Sequence, residues 1–380
     1  MKKILVVHNF YRNKGGEDTN ILEELEFLKE DFEVYFYSED NLNSLNFFDI
    51  LSFLTISNYR SNKKFVKLLN KVQPDLVYIH NTWFKVNLGI FKVLKKRKIR
   101  TALKIHNFRY ECSVHMFASK HLKNETVCYQ CGFKLKPFQL FNKYFKESYL
   151  KSFFLYLYSK KYFKIMKDFP ISIIALNQFH KNKLIDFGIN QNKIEMIFNP
   201  INFQNYNSAK LKENIVVYAG RISEEKGVDE ILKSWQKSEL KNFELIVIGD
   251  GEDREILERQ YKSKDIMFLG HLEIEEVLKI ISKAKAVVVA TKLYEGQPRV
   301  LCEASSLGTL SIYPSFGGMD EFFPKDYEYS FEQFNYEDLV NKFNQLEDTE
   351  KFKLNQENVL KNIHKKLNKD DLKKRFLNLM

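Results

Sequence analysis

Two consecutive series of short apolar runs, each alternating with amphipathic stretches, constrain this chain more than any other feature. In the first series, β-branched runs at 4–8, 33–37, 76–80, 101–106 and 172–176 are separated by helical patterns such as 17–29, 63–71 and 88–96. The pattern restarts after residue 200, with runs at 214–219, 244–248, 266–269, 286–290 and 310–313 and helical patterns at 228–236, 253–262, 275–282 and 298–307. Strand–helix alternation predicts a parallel sheet covered by helices on both faces. The Asn- and Ser-rich segment 198–211, which contains Asn199-Pro200, reads as the joint between the two series. A chain of 380 residues is long enough for two such domains. The expected division is 1–198, 199–358 and a terminal amphipathic helix at 359–380. Ligands of such sheets bind outside the carboxyl ends of the strands, so function is sought in the residues that follow each apolar run.

Charge divides the same way. Residues 1–200 carry 33 Lys/Arg against 18 Asp/Glu, whereas residues 201–380 carry 27 against 31. The excess is concentrated in residues 51–200, with 28 basic and 7 acidic groups. The first half therefore meets something anionic: nucleic acid, an anionic membrane surface or an acidic substrate. No apolar run approaches the ~18 residues of a spanning helix. Met1-Lys2-Lys3 leads directly into Ile4-Leu5-Val6-Val7 without a signal-peptide core. A cytoplasmic protein is expected, and four cysteines suit a reducing compartment.

The strand ends of the second half carry most of the chemistry. Gly220-Arg221 and Lys226-Gly227 follow the run at 214–219. Arg can fork onto two phosphate oxygens and Lys adds a point charge, so the pair suits a diphosphate leaving group; a solvated basic pair is the alternative. Gly249-Asp250-Gly251 follows 244–248, where glycine lets backbone come close to a ligand. After 286–290 comes Glu295-Gly296-Gln297-Pro298-Arg299-Val300-Leu301-Cys302-Glu303, with two carboxylates eight residues apart, one in a loop and one inside the helix. The amides at the start of that helix suit phosphate oxygens. Pro298 suits the first turn because its missing N–H is not needed there. There is no Asp-x-Asp for a metal-bridged diphosphate.

Taken in order, G-R-x4-K-G, G-D-G and E-x7-E closely resemble the nucleotide-sugar half of glycosyltransferase family 4. Gln297-Pro298 stands where Phe-Gly is common, and Asn199-Pro200 where Asn-Gly is common. The resemblance extends into the first half through Gly15-Gly16-Glu17, the run 75–80, Ile105-His106-Asn107 and 197–200. It implies the GT-B fold, α/β, with two Rossmann-like doubly wound domains facing each other across a cleft and the terminal helix at 359–380 packed back on the first domain. It also implies a retaining, metal-independent, hexosyltransferase-like enzyme that needs no cofactor beyond its nucleotide-diphosphate sugar donor.

In that reading Arg221 and Lys226 hold the diphosphate, Glu295 binds donor-sugar hydroxyls and Glu303 the ribose. Gly15, Gly16, Gly220, Gly249, Gly251, Gln297, Arg299 and Val300 line the donor, as does Pro298. His106 corresponds to the family's cleft histidine; His8 and His80 also end apolar runs. The acceptor is a glycan, including a lipid-linked one, in cell-envelope polysaccharide assembly. A small-acceptor synthase or phosphorylase of the same architecture is the enzymatic alternative. A basic nucleic-acid-binding protein would leave the four charged site residues unexplained, so no nucleic-acid partner is expected.

Two features of the first half stand apart. Cys112, Cys128 and Cys131 supply three thiolates that His106, His115 or His121 would complete as a tetrahedral structural zinc site; free thiols are the alternative. Residues 134–167 hold nine lysines against Glu147, interleaved with Phe and Tyr. Such a stretch suits an anionic membrane surface at the inner face of the cytoplasmic membrane. The alternative is a helix with a buried aromatic face and a solvated lysine face. Cys302, inside the helix of the E-x7-E motif, reads as packing.

Overall fold

The structure is a computed structural model and describes residues 1–10, 16–40, 58–82, 85–108, 149–201 and 211–380. Its described residues form two compact units, one running to Pro200 and joined by Lys369–Met380, the other spanning Ile201–Asn368.

In the first unit, β1 (Lys3–Phe10), α1 (Gly16–Lys29), β2 (Glu33–Asp40), α2 (Tyr59–Val72), β3 (Leu76–Ile79), α3 (Gly89–Arg97) and β4 (Thr101–Lys104) follow one another. After them come α4 (Tyr149–Asp168), β5 (Ser172–Ala175), α5 (Gln178–Asp186) and β6 (Ile194–Met196). The six strands pair in parallel in the order β2-β1-β3-β4-β5-β6. β3 and β4 are buried along their whole length, which is why they read as continuous apolar runs rather than alternating ones. The chain reverses its winding between β1 and β3, so a crevice opens where their carboxyl ends part.

The second unit runs β7 (Glu213–Ala219), α6 (Val228–Lys237), β8 (Glu244–Ile248), α7 (Arg254–Tyr261), β9 (Ile266–Gly270), α8 (Ile274–Lys283), β10 (Ala284–Val288) and α9 (Arg299–Ser306). It continues through β11 (Leu310–Pro314), β12 (Ser330–Phe331), α10 (Tyr336–Asn344) and α11 (Thr349–Lys366). Its parallel order is β12-β11-β10-β7-β8-β9, with the reversal between β7 and β10. α6 buries Val228, Ile231, Leu232 and Trp235, the i, i+3, i+4, i+7 stripe of a helix laid on a sheet.

Elements depart from the sequence expectations mainly at their ends. β10 begins two residues early, directly at the end of α8, and a register shift between Ala284 and Ala286 absorbs the abrupt joint. The terminal stretch is two helices: α11 stays in the second unit, while α12 (Lys369–Asn378) belongs to the first. α12 is held there by Phe376, whose ring lies 6.1 Å from Phe27 and 5.4 Å from Tyr78. Lys369 and Lys373 pair with Glu30 at 2.6 and 3.1 Å, and Lys373 also reaches Asp31 at 2.6 Å.

Candidate active site

The second unit gathers its predicted residues at the β7/β10 reversal. Beyond β7 the chain turns through Gly220 and Arg221, makes one 3-10 turn over Glu224–Lys226, and enters α6 at Gly227. Beyond β10 it runs through Thr291–Pro298 into α9, with Pro298 at the cap position, one residue earlier than expected. Two side chains bridge these loops. Lys226 Nζ lies 2.8 Å from Glu295 Oε1, and the Thr291 hydroxyl donates to the same oxygen at 3.3 Å. Lys226 and Glu295 keep 29% and 25% of their side-chain surface. Both can therefore exchange this mutual contact for a ligand without unpacking.

Glycine makes the approach of the loops possible. Gly227 has φ +70°, and a Cβ there would lie 2.1 Å from the carbonyl oxygen of Ala290 at the end of the β10 segment. Gly249 and Gly251 solve the same problem on the β8 side. Their Cβ positions would fall 1.8 Å from Gly220 O and 2.1 Å from Ile222 O, and Ile222 N donates to Asp250 O at 2.9 Å. The close approach these two glycines permit is thus by the β7 loop itself. The loop carrying Glu295 is steadied by Tyr294, which stacks on Phe316 at 4.8 Å, above Gly317 (φ +65°).

The remaining predicted residues sit around this bridge. Arg221, 62% exposed, pairs with the buried Glu225 carboxylate. Arg299 Nε donates to Glu303 Oε1 at 2.6 Å, so the second carboxylate of the motif is held by the first residue of its own helix. Gln297 and Glu303 are buried and Val300 is part-exposed within α9. Cys302 is fully buried, and burial pushes its thiol well above the ordinary range, as suits packing. Sequence reasoning missed Thr291, Glu225 and the buried Lys292, which pairs with Glu230 at 2.7 Å. A Lys directly after an apolar strand was the available signal for the last.

In the first unit residues in and just after the carboxyl-terminal parts of β1, β3 and β4 also come together with α1, around a buried polar chain. His8 Nε2 lies 2.8 Å from Asp18 Oδ1. Glu24 of α1 accepts from Lys104 Nζ and Tyr78 Oη, each at 2.8 Å. His80 Nδ1 lies 2.8 Å from His106 Nε2, with the rings stacked at 5.1 Å. Burial, and then the neighbouring cations and imidazoles, hold His80 and His106 well below the usual histidine range, so both are neutral near pH 7. His180, also buried, is pushed down to about 3. Glu24 and Lys104 are 80 positions apart, and only a Lys inside an apolar run hinted at the pair.

Gly16 opens α1 with nothing within 4 Å of its Cβ position. Gly15, Cys112, Cys128 and Cys131, with His115 and His121, lie outside the described residues. Among the described residues no cluster of three or more His, Cys, Asp or Glu groups could hold a metal ion.

Residues 201–366 match the family of glycosyl transferases group 1. A Campylobacter jejuni N-acetylgalactosaminyltransferase, named for an undecaprenol-diphosphate-linked glycan, is 24% identical over 277 residues, 69% of this chain and 71% of its own length. The amylovoran biosynthesis glycosyltransferase AmsD of Erwinia amylovora is 27% identical over 37% of this chain and 42% of its own length. Anabaena HepE, solved with UDP-glucose, shares the fold at a TM-score of 0.71 and 14% identity, covering 100% of this chain and 99% of that one. The two parallel Rossmann-like units are those of the GT-B fold, and the second unit is similar over most of its length to the glycosyl transferases of group 1.

Proposed function

We propose that the chain transfers a sugar, with retention, from a nucleotide-diphosphate sugar to a glycan acceptor, including a lipid-linked one, in polysaccharide assembly. The observation that carries this reading is the Lys226–Glu295 bridge at the β7/β10 reversal, where doubly wound sheets bind their ligands. The C. jejuni relative, named for its undecaprenol-linked acceptor, and HepE with UDP-glucose support it.

In the proposed mechanism the donor displaces the internal pair. Lys226 turns to the diphosphate with Arg221 and stabilises charge as the nucleotide leaves. Glu295, released, accepts hydroxyls of the donor sugar, and Glu303 those of the ribose. The amides of Gln297, Arg299 and Val300, with the turns at Gly15, Gly16, Gly220, Gly249 and Gly251, complete the donor site; Pro298 contributes shape but no N–H. The departing diphosphate takes the acceptor proton on the face it leaves, so no separate strong base is required. His106 serves the same reaction from the first unit, which binds the acceptor. The three cysteines remain a proposed zinc clip.

The test is a thermal-shift panel of UDP-, GDP- and ADP-sugars, in which a donor that binds only the folded chain raises the melting temperature. Lys226→Ala should weaken nucleotide binding about 10- to 100-fold, the loss of one charged hydrogen bond of about 1.5–3 kcal/mol. Glu295→Ala should abolish transfer with modest loss of nucleotide affinity. Normal turnover in Glu295→Ala would remove the sugar contact.

A membrane-facing role belongs to the same proposal. On α4, Tyr158 and Tyr162 are buried while Lys160, Lys161, Lys164 and Lys167 are exposed, as are Leu150 and Phe153 near its start. The helices α2 and α3, which pack on each other, add Arg60, Lys63, Lys64, Lys67, Lys92 and Lys95, all exposed. This combination of exposed lysines and a few exposed apolar side chains suits anionic headgroups. Among the described residues no helix is long and apolar enough to cross a membrane. Flotation with anionic liposomes at moderate salt should carry the protein to the top of the gradient; protein left at the bottom would end this part of the reading.

A further inference from the structure

The buried chain from Glu24 through His80 to His106 has a direction, and the direction is set by its two ends. Glu24 Oε1 is occupied by Lys104 and Tyr78, whereas Oε2 accepts no hydrogen bond among the described residues and lies 3.9 Å from His80 Nε2. At the other end, His106 Nδ1 has no hydrogen-bond partner among the described residues. Between them the two rings share the 2.8 Å contact from His80 Nδ1 to His106 Nε2. Each neutral imidazole carries one N–H, so the chain has two arrangements.

If His80 donates from Nδ1, its Nε2 lone pair confronts the Glu24 carboxylate. His106 is then left with a buried N–H on Nδ1 and no acceptor. Both are unfavourable, because like charge density is opposed and an orphaned donor is the costlier kind of unmet group. If instead His106 donates from Nε2, His80 directs its own Nε2–H at the carboxylate. His80 Nε2–H then has no acceptor within hydrogen-bond distance but faces the carboxylate at 3.9 Å, an attraction in place of a repulsion, and His106 Nδ1 is left with only an unmet lone pair.

We infer that Glu24 and His80 hold His106 as its Nε2–H tautomer, so that Nδ1 presents a lone pair to a hydroxyl group of the bound substrate. His80 is a positioning residue, and the inference deepens the reading of His106 as a site residue and rests on it. The position of the chain supports it: His8 among the last residues of β1, and His80 and His106 just after β3 and β4, lie toward the carboxyl edge beside the β1/β3 reversal. Lys104 neutralises Glu24 in the fully buried strand end, which lets a carboxylate persist there to orient His80.

The experiment uses the full chain labelled with 15N-histidine, with His106 assigned by the signal lost in His106→Gln. Two-bond proton–nitrogen correlation should show His106 protonated at Nε2 and bare at Nδ1. Protonation at Nδ1 overturns the inference without reference to activity or to any variant folding. Turnover is then read as nucleoside diphosphate release from UDP-glucose, or from whichever sugar nucleotide raises the melting temperature. His80→Phe should lower kcat about 10- to 100-fold, the usual cost of losing the partner that orients a working histidine. Its KM for the donor should be unchanged. His80→Asn, whose carbonyl can accept from His106, should recover most of the loss. A slow His106→Gln beside a fully active His80→Phe overturns the positioning role. A fully active His106→Gln that still binds donor overturns the assignment of His106 itself and leaves the donor site standing.

Discussion

Replacing Gly227 with alanine tests whether the convergence of the β7 and β10 loops matters for chemistry. The residue has φ +70°, a left-handed conformation that costs a non-glycine residue about 1–2 kcal/mol. The new Cβ would also begin 2.1 Å from Ala290 O, 2.9 Å from Ala290 C and 3.0 Å from its Cβ. Real Cβ atoms stay beyond about 3 Å from such neighbours, so the loops must part by roughly 1 Å, and backbone rather than a flexible side chain must move. Lys226 is the adjacent residue, and its partner Glu295 rides on the other loop. The displacement therefore falls on the bridge itself. A misplacement of about 1 Å costs on the order of 100-fold in rate where positioning carries catalysis. Combined with conformational strain and lost packing, the second unit should lose about 2–4 kcal/mol. Urea denaturation gives the stability, and initial rates with a saturating donor give the chemistry. Gly16→Ala is the control, since nothing lies within 4 Å of its Cβ position, and it should leave stability unchanged or slightly raised. A Gly227→Ala protein with wild-type rate and stability within about 0.5 kcal/mol would refute the idea that the glycine is there to let the loops meet.

Three further outcomes follow from the same geometry. His180 is buried with its pKa lowered to about 3, so below pH 6.5 the unfolded chain takes up a proton that the folded one refuses, and stability falls with pH. Between pH 7 and 5 this amounts to about 2 kcal/mol for His180, and His80 and His106 act in the same direction; His180→Phe should flatten the urea-midpoint profile over that range. Glu230→Ala would leave the Lys292 ammonium buried and unpaired, at about 3 kcal/mol, whereas adding Lys292→Met should restore most of the loss; equal stability of the two variants would argue against the pair. Removing Lys226 and Glu295 together should cost less nucleotide affinity than the sum of the single changes, because each alone takes away the other's oppositely charged partner; strict additivity in a double-mutant cycle would show the contact to be inert.

The sequence by itself determined the class of fold and the strand ends where the charged and glycine residues of the second unit gather. Parallel strands covered on both faces must be continuous apolar runs, so runs such as 244–248 and 310–313 announce themselves, and whatever follows a run lies at the carboxyl edge. That made Arg221, Lys226, Gly249, Glu295 and Glu303 legible without coordinates. Tertiary structure decided which of those residues meet. Lys226 and Glu295 are 69 positions apart and touch only because β10 crosses back to lie beside β7, a strand order no local pattern encodes. The same holds for Glu24 with Lys104 and for His80 with His106. Helix ends were equally a matter of context: 359–380 has one amphipathic period, yet the chain breaks at Leu367–Asn368 so that Phe376 can reach Phe27 and Tyr78. Periodicity records which face of an element is buried, whereas partners are chosen by sheet order and by the free energy of the whole packed unit.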